Sequence, residues 1–237
     1  MPEHTVRSYD EELAHLIEAV VRMGSLAEAS LADSLQTIIR RDASLTQTVI
    51  ERDLTLDDLN RDIERRAIRM IALRQPVARD LRHTVAAMKI ASNLERVGDL
   101  AKNIAKRGAV LAQTEPVAGL TGSIERVGRL VSGRLKDVLD AYRSDEIDPA
   151  LAVWFHDDDV DEDCEVISRE LLGFMMNETR TIAACAHLLF IAKNLERIGD
   201  HATNIAELVH YEVSGAELPM ARPKRGALWQ GGSVSTV

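Results

Sequence analysis

Four pairs of carboxylates lie four residues apart in this chain: Glu95 with Asp99, Glu196 with Asp200, Asp53 with Asp57, and Asp157 with Asp161. On a helix, that spacing puts both acids of a pair on one face. Asn103 and Asn204 continue the lines of Glu95–Asp99 and Glu196–Asp200 one turn further. Carboxylates offered by two neighbouring helices supply hard oxygen ligands, so the chemistry they suit is binding of Mg2+, Ca2+, Mn2+ or iron, singly or as a cluster. Zinc is less favoured, because few His or Cys residues accompany them. A ferritin-like di-iron site would need Glu-x-x-His, which neither acidic helix carries.

A lone acidic pair at this spacing is most often a solvated helix face. Three features weigh against that here. Like charges at i,i+4 cost about 0.2–0.5 kcal/mol per pair, yet the arrangement recurs. Gly98 and Gly199 fall in mid-helix, where glycine costs about 1 kcal/mol against alanine; this points to a close backbone approach or to open access beside the acids. Finally, the surroundings repeat. Residues 90–105 read IASNLERVGDLAKNIA and residues 191–206 read IAKNLERIGDHATNIA, identical at 12 of 16 positions with an offset of 191 − 90 = 101.

The elements that must position these acids follow from the same repetition. Earlier in the chain the offset is 128 − 24 = 104: Gly24, Leu26, Leu31, Asp33 and Leu35 correspond to Gly128, Leu130, Leu135, Asp137 and Leu139, and Asp53 and Asp57 to Asp157 and Asp161. Helical periodicity, with Leu13, Leu16, Ile17, Val20 and Met23 as the first stripe, predicts a helix over residues 9–41. A second follows a Ser44 cap to about Leu73, and a third has Pro76 in its first turn and ends near Leu111. Pro116, Gly119 and Gly122 mark a linker. The second half then repeats the plan over 123–142, a helix capped by Asp148 with Pro149 in its first turn and running to Met176, and a last helix from about Asn177 to Tyr211. The expected fold is all-α, two tandem three-helix bundles related by internal repeat, spanning 1–112 and 123–213 with a linker at 113–122. Residues 214–237 are expected to form a disordered or loosely attached tail.

Composition narrows the function classes. Apolar residues make up 46% of the chain, ample for a core, whereas aromatics make up 3%, which favours aliphatic helix packing. Basic residues number 29 and acidic 38, a net charge of −9, so nucleic acid is not the expected partner. Cys164 and Cys185 form no CxxC pair, and the spacing suits a reducing, cytoplasmic setting. Neither a signal peptide nor a membrane span is expected. His201 reads as a surface histidine, since its repeat partner is Leu100, and Cys164 as a small buried residue. Arg96 and Arg197 read as partners of neighbouring carboxylates. Arg79, Asp80 and Arg82 could be a partner contact or plain surface. Phosphate-binding glycine loops, nucleophile elbows and paired Cys/His sets are not recognisable, so catalysis ranks low.

The chain resembles the PhoU family up to about Tyr211. The resemblance is carried by Pro76-Val-Ala-Arg-Asp-Leu-Arg82, by Asn93-Leu-Glu-Arg-Val-Gly-Asp99 with Asn103-Ile-Ala, and by Asn194-Leu-Glu-Arg-Ile-Gly-Asp200-His-Ala with Asn204-Ile-Ala-Glu. It implies two three-helix bundles in a pseudo-twofold arrangement, often assembled as a homodimer. It implies a cytoplasmic negative regulator of the phosphate-starvation (Pho) response that links the PstSCAB transporter, through its ATPase PstB, to the sensor kinase PhoR. For the acidic pairs it implies metal ligation by Glu95, Asp99, Glu196 and Asp200 with Asp53, Asp57, Asp157 and Asp161, the ion being divalent or iron-type (Fe, Mn, Mg or Zn). The second half reads Asn177-Glu-Thr-Arg-Thr-Ile-Ala in place of the Pro76–Arg82 motif, so the two bundles are not expected to contact partners equally. The alternative from another class is a metal-storage or metal-dependent hydrolytic protein built on the same carboxylates.

Overall fold

Leu16, Val20, Met23, Ala27, Leu31, Leu35 and Ile38 recur at helical spacing and are all buried, which fixes the inward face of the first helix. The computed structural model describes residues 2–116, 120–219, 228–230 and 233–235. Its helices are α1 (Pro2–Ile39), α2 (Leu45–Arg74), α3 (Ala78–Leu111), α4 (Leu120–Ser144), α5 (Ile147–Phe155), α6 (Asp158–Asn177) and α7 (Ile182–Ser214). A 3-10 turn at Thr179–Thr181 leads into α7. Among the described residues, the first half is α1–α3 and the second α4–α7.

α3 packs against α1, α2 and α7; α7 packs against α3, α4, α5 and α6; and α1 meets α4. The apolar interior runs without interruption through both halves. Each buried Leu or Ile side chain contributes about 1.5–3 kcal/mol. The sequence repeat reappears as a reciprocal contact between the halves. Gly24 of α1 admits Leu139 of α4, and its counterpart Gly128 admits Leu35: an added Cβ would lie 2.8 Å and 2.5 Å from the respective leucine methyls. Residue i meeting j while the counterpart of j meets the counterpart of i is the signature of twofold symmetry.

Several boundaries differ from the sequence expectation. α1 begins at Pro2 and α4 at Leu120, ahead of the expected starts; residues 117–119 of the expected linker lie outside the described residues. Pro76 precedes α3, whose cap is the extended Val77. α2 ends on Gln75 in the left-handed region, its N–H bonded to Ile71 O at 3.1 Å. The largest correction concerns the expected helix over 148–176. It is two helices, α5 and α6, separated at His156 and Asp157. Arg134 on α4, 5% exposed, meets the break: its guanidinium donates to His156 O and, at 3.3 Å, to Asp157 O. Beyond α7, Leu218 packs against the core and Ala216 O lies 3.1 Å from His210 Nδ1. Leu228–Gln230 and Ser233–Ser235 form a short antiparallel pair, β1 and β2. Residues 220–227, 231–232 and 236–237 of the expected tail lie outside the described residues.

Candidate acidic sites

The apolar stripes of the two acidic helices are buried as expected: Leu94, Val97, Ala101 and Ile104 on α3, and Leu195, Ile198, Ala202 and Ile205 on α7, all at 0% exposure. This leaves Glu95, Asp99, Glu196 and Asp200 half-buried at the edge of the stripe. The glycine between the first pair, Gly98, is explained by close approach of a neighbouring helix. A Cβ on Gly98 would lie 2.4 Å from Leu56 Cδ1 and 3.7 Å from Asp53 Oδ1 of α2. A Cβ on Gly199 would sit in ordinary contact, 3.4 Å from Val160 of α6, the counterpart of Leu56, so packing does not require glycine there. Gly98 seats α2, and the buried Asp53 on it, against α3.

In the first half, Asp53 is buried at 2% exposure. Its Oδ2 receives a hydrogen bond from Lys102 Nζ at 2.5 Å, and the same ammonium donates to Asp99 Oδ1 at 2.7 Å. Asp53 Oδ1 is buried and has no hydrogen-bond partner among the described residues. Burial raises the Asp53 carboxyl above its ordinary value, and Lys102 opposes the rise. Burial pulls the Lys102 ammonium down, but the bonds to Asp53 and Asp99 outweigh it and leave it above the ordinary range. Glu95 is raised by burial against the pull of Arg96, with Asp99, Asp57 and Asp53 adding to the rise. Arg96 pairs as expected, with Glu95 at 3.3 Å and Asp99 at 3.6 Å.

The second half has the same acids in a different balance. Asp157 is buried at 6% exposure and receives a 2.6 Å hydrogen bond from Thr203 Oγ1. Thr203 stands at the repeat position of Lys102 (102 + 101 = 203). Asp161 is raised to about 6, first by burial and then by the charges of Asp157, Glu196, Asp200 and Asp158. The carboxylates of each half are thus near enough to act on one another. Among the described residues, however, no three His, Cys, Asp or Glu side chains converge closely enough, as placed, to hold an ion.

Asp161 gives a test that needs no ligand. Its carboxyl titrates near 6 when folded against 3.8 unperturbed, so the fold prefers the protonated form. Below the unfolded value both states are protonated and the residue contributes nothing; between about pH 4 and pH 6 only the unfolded state ionises, and stability falls as pH rises. Asp161→Asn in chelator should remove that loss. Because Asp161 is exposed and screened, the gain above pH 6 is about 1 kcal/mol, or roughly 2–4 °C in Tm. Thermal unfolding across pH checks this: curves for wild type and variant that stay parallel from pH 4 to 7 would refute it.

The remaining candidates have structural places. Cys164 is buried, its thiol pushed up to about 12 by burial, with Sγ 3.5 Å from Ala192 O. His201 is not a surface residue: it is half-buried, with Nδ1 2.9 Å from Asn93 Oδ1 across the two halves. Arg79 pairs with Asp145, and Arg82 Nε donates to Glu212 O at 3.3 Å. Asn204 lines a groove of about 730 Å³ between α3 and α7 with Lys89, Asn93 and Tyr211. Sequence reasoning missed Lys102, Thr203 and Arg134. Lys102 and Thr203 were legible as one of the four mismatches in the sixteen-residue repeat.

A tandem-repeated helical bundle with an acidic motif on the last helix of each half is the class these elements define. A family model described as the PhoU domain matches residues 20–108 and 124–209. The chain belongs to the PhoU family. It is 58% identical to a phosphate-specific transport system accessory protein PhoU homolog of Caulobacter vibrioides, over 97% of this chain and 100% of that protein. A homolog of the same description from Rhizobium meliloti is 44% identical over 98% of each. The crystal structure of PhoU from Pseudomonas aeruginosa superposes with a TM-score of 0.86 at 34% identity, over 88% of this chain and 100% of that one. That of the phosphate transport system regulatory protein PhoU from Streptococcus pneumoniae gives 0.82 at 26%, over 90% and 100%.

Proposed function

We propose that this chain is a regulatory accessory protein of phosphate transport that acts by binding rather than by turnover. The observation that carries this is the PhoU domain matched in both halves, with full-length relatives named as accessory proteins of the phosphate-specific transport system. In this role it represses the phosphate-starvation response in the cytoplasm as a homodimer, coupling the transporter through PstB to the sensor kinase PhoR. No helix among the described residues is long and apolar enough to cross a membrane, so contact with the transporter falls to exposed helix faces. Glu95, Asp99, Glu196 and Asp200, with Asp53, Asp57, Asp157 and Asp161, form the acidic sites. Their oxygen-only donor set suits Mg2+, Mn2+ or iron ahead of zinc.

The test is a starvation-response reporter in phosphate-rich medium. Deletion should switch the reporter on and the wild-type chain should silence it. The Glu95→Ala/Asp99→Ala/Glu196→Ala/Asp200→Ala variant, checked for helix content, should fail to do so. A reporter that stays silent on deletion would end the regulatory assignment and favour metal storage or metal-dependent hydrolysis on the same carboxylates.

A further inference from the structure

The seam between α3 and α7 is built from the same motif twice, and its two ends differ in chemistry. At one end, Lys89 and Asn93 of α3 face Asn204, Glu207, Leu208 and Tyr211 of α7 across the groove of about 730 Å³. The chain supplies part of that groove's wall itself. Glu217, Leu218 and Pro219, from the segment that follows α7, line it, and Leu218 packs against the core. The repeat carries these helix positions elsewhere: Lys89 to Phe190 (89 + 101 = 190), Glu207 to Lys106 (207 − 101 = 106), Leu208 to Arg107 and Tyr211 to Val110. α3 and α7 run antiparallel, as the pairs Arg82–Glu212, Asn93–His201 and Arg107–His187 require. The four counterparts therefore meet again at the opposite end of the seam.

There the sign of the charge is reversed. Lys106, Arg107 and Lys193, the counterpart of Ser92 (92 + 101 = 193), stand at positions where the first end carries Glu207 and no basic residue but Lys89. Lys193 is shared with Glu196, one turn along. Val110 is 45% exposed and Phe190 54%, which leaves large apolar surface in water beside these cations. The Arg107 guanidinium stacks over the Phe190 ring, 4.1 Å from its centre, with Nη1 3.5 Å from His187 Nδ1. Stacking engages the flat face of a guanidinium and leaves its N–H edge for a carboxylate. Among the described residues, no segment of this chain covers Phe190. The stretch after α3 is drawn toward α1 instead, where Arg41 donates to Ala112 O at 3.2 Å and to Thr114 O.

We propose that this end of the seam, around Val110 and Phe190 with Lys106 and Arg107, is a docking surface for an acidic segment of a partner protein that sets an apolar side chain beside its carboxylates. The chain's own Glu217-Leu218-Pro219 gives the pattern: an acid, then a leucine that the following proline biases to extended backbone, laid along the equivalent groove. At the second end the apolar side chain meets Phe190 and Val110, and the carboxylates meet Arg107 and Lys106. An aromatic residue and an arginine at the centre of an exposed patch are the residue types on which binding energy concentrates. A second copy is the poorer occupant. Its net charge is −9, but the sequence beyond Pro219, with Arg222, Lys224 and Arg225, has the wrong sign for this surface. The proposal rests on the reading of the chain as a protein that acts by binding. It is tested without the starvation reporter, so the two can fail separately.

The probe is a fluorescein-labelled peptide, Glu-Glu-Leu-Pro-Glu-Leu, titrated into isotope-labelled full-length protein at low salt and followed by anisotropy and amide chemical shifts. Binding should shift the amides of residues 103–110 and 187–194. It should weaken about 10-fold in Phe190→Ala and in Lys106→Glu/Arg107→Glu, and a peptide with lysine for every glutamate should not bind. Both variants change side chains that reach solvent, and circular dichroism checks their helix content; the shift map of the wild-type chain carries the test if either fails to fold. Shifts confined to residues 204–211, where the peptide displaces the chain's own segment, overturn the proposal. So does the absence of binding at millimolar peptide, or binding indifferent to both variants. Self-association of the wild-type chain in sedimentation, abolished by Phe190→Ala, gives the surface to a second copy and overturns it as well.

Discussion

Arg134→Met should lower the unfolding free energy by about 3 kcal/mol, from loss of charge-assisted hydrogen bonds worth about 1.5–3 kcal/mol each. Arg134 is buried on α4 and donates to His156 O, to Asp157 O and to the Asp159 carboxylate. Burial lowers its pKa, with Asp159 and Asp157 opposing, so the charge is held against a desolvation cost. His156 O and Asp157 O each keep one backbone donor at 3.3 Å, from the N–H of Asp159 and of Val160. The loss is therefore that of the charged bonds and not of every partner. For a chain of this length the Tm should fall by roughly 6–12 °C, with amide exchange accelerating first around the α5–α6 junction. A variant within about 0.5 kcal/mol of wild type, the range of ordinary surface changes, would mean that the junction is held by something other than Arg134.

That junction shows where the sequence stops short. Local pattern carried much of the fold, because buried faces at helical spacing and a duplicated motif are written in adjacent residues. Even the reciprocal Gly24–Leu139 and Gly128–Leu35 contacts were foreshadowed by the repeat. The break at His156 is different. The guanidinium that meets it lies 22 residues away on another helix, and the equivalent position of the first half is the small Ser30 (134 − 104 = 30), beside an α2 that runs unbroken. No property of residues 148–176 alone announces it.

The acidic sites were legible in type and spacing but not in state. Gly98 was singled out by its helix-breaking cost, and the choice between close approach and open access needed Leu56 in place. Lys102 opposite Thr203 was visible as a mismatch. Its meaning depends on Asp53 being buried beneath it, which periodicity on α2 does not distinguish from Asp57, half-buried one turn along. His201 misled because its repeat partner is a leucine. It bonds across the halves to Asn93, a contact the repeat comparison does not address.

The same Lys102 should prove expensive to remove even with every metal chelated. Lys102→Met keeps the aliphatic stem and deletes the ammonium, leaving the Asp53 carboxylate with neither oxygen bonded to Lys102 and one already unpartnered. Breaking a buried pair from one side costs about 3–5 kcal/mol, and the partial exposure of Lys102 places the expectation near the lower end. Tm should fall by roughly 6–12 °C and, because the pair is buried, by nearly as much in high salt. The penalty should be pH-dependent with a definite sign. Asp53 is a carboxyl raised by burial, so the fold favours its protonated form, and acidification through its titration should recover stability in the variant. Asp53→Asn in the same chain should restore most of the loss, because the amide carries no charge to strand; the double-mutant cycle then measures the pair itself. If Lys102→Met costs no more than a surface change and Asp53→Asn restores nothing, the ammonium is not what holds Asp53 in the fold.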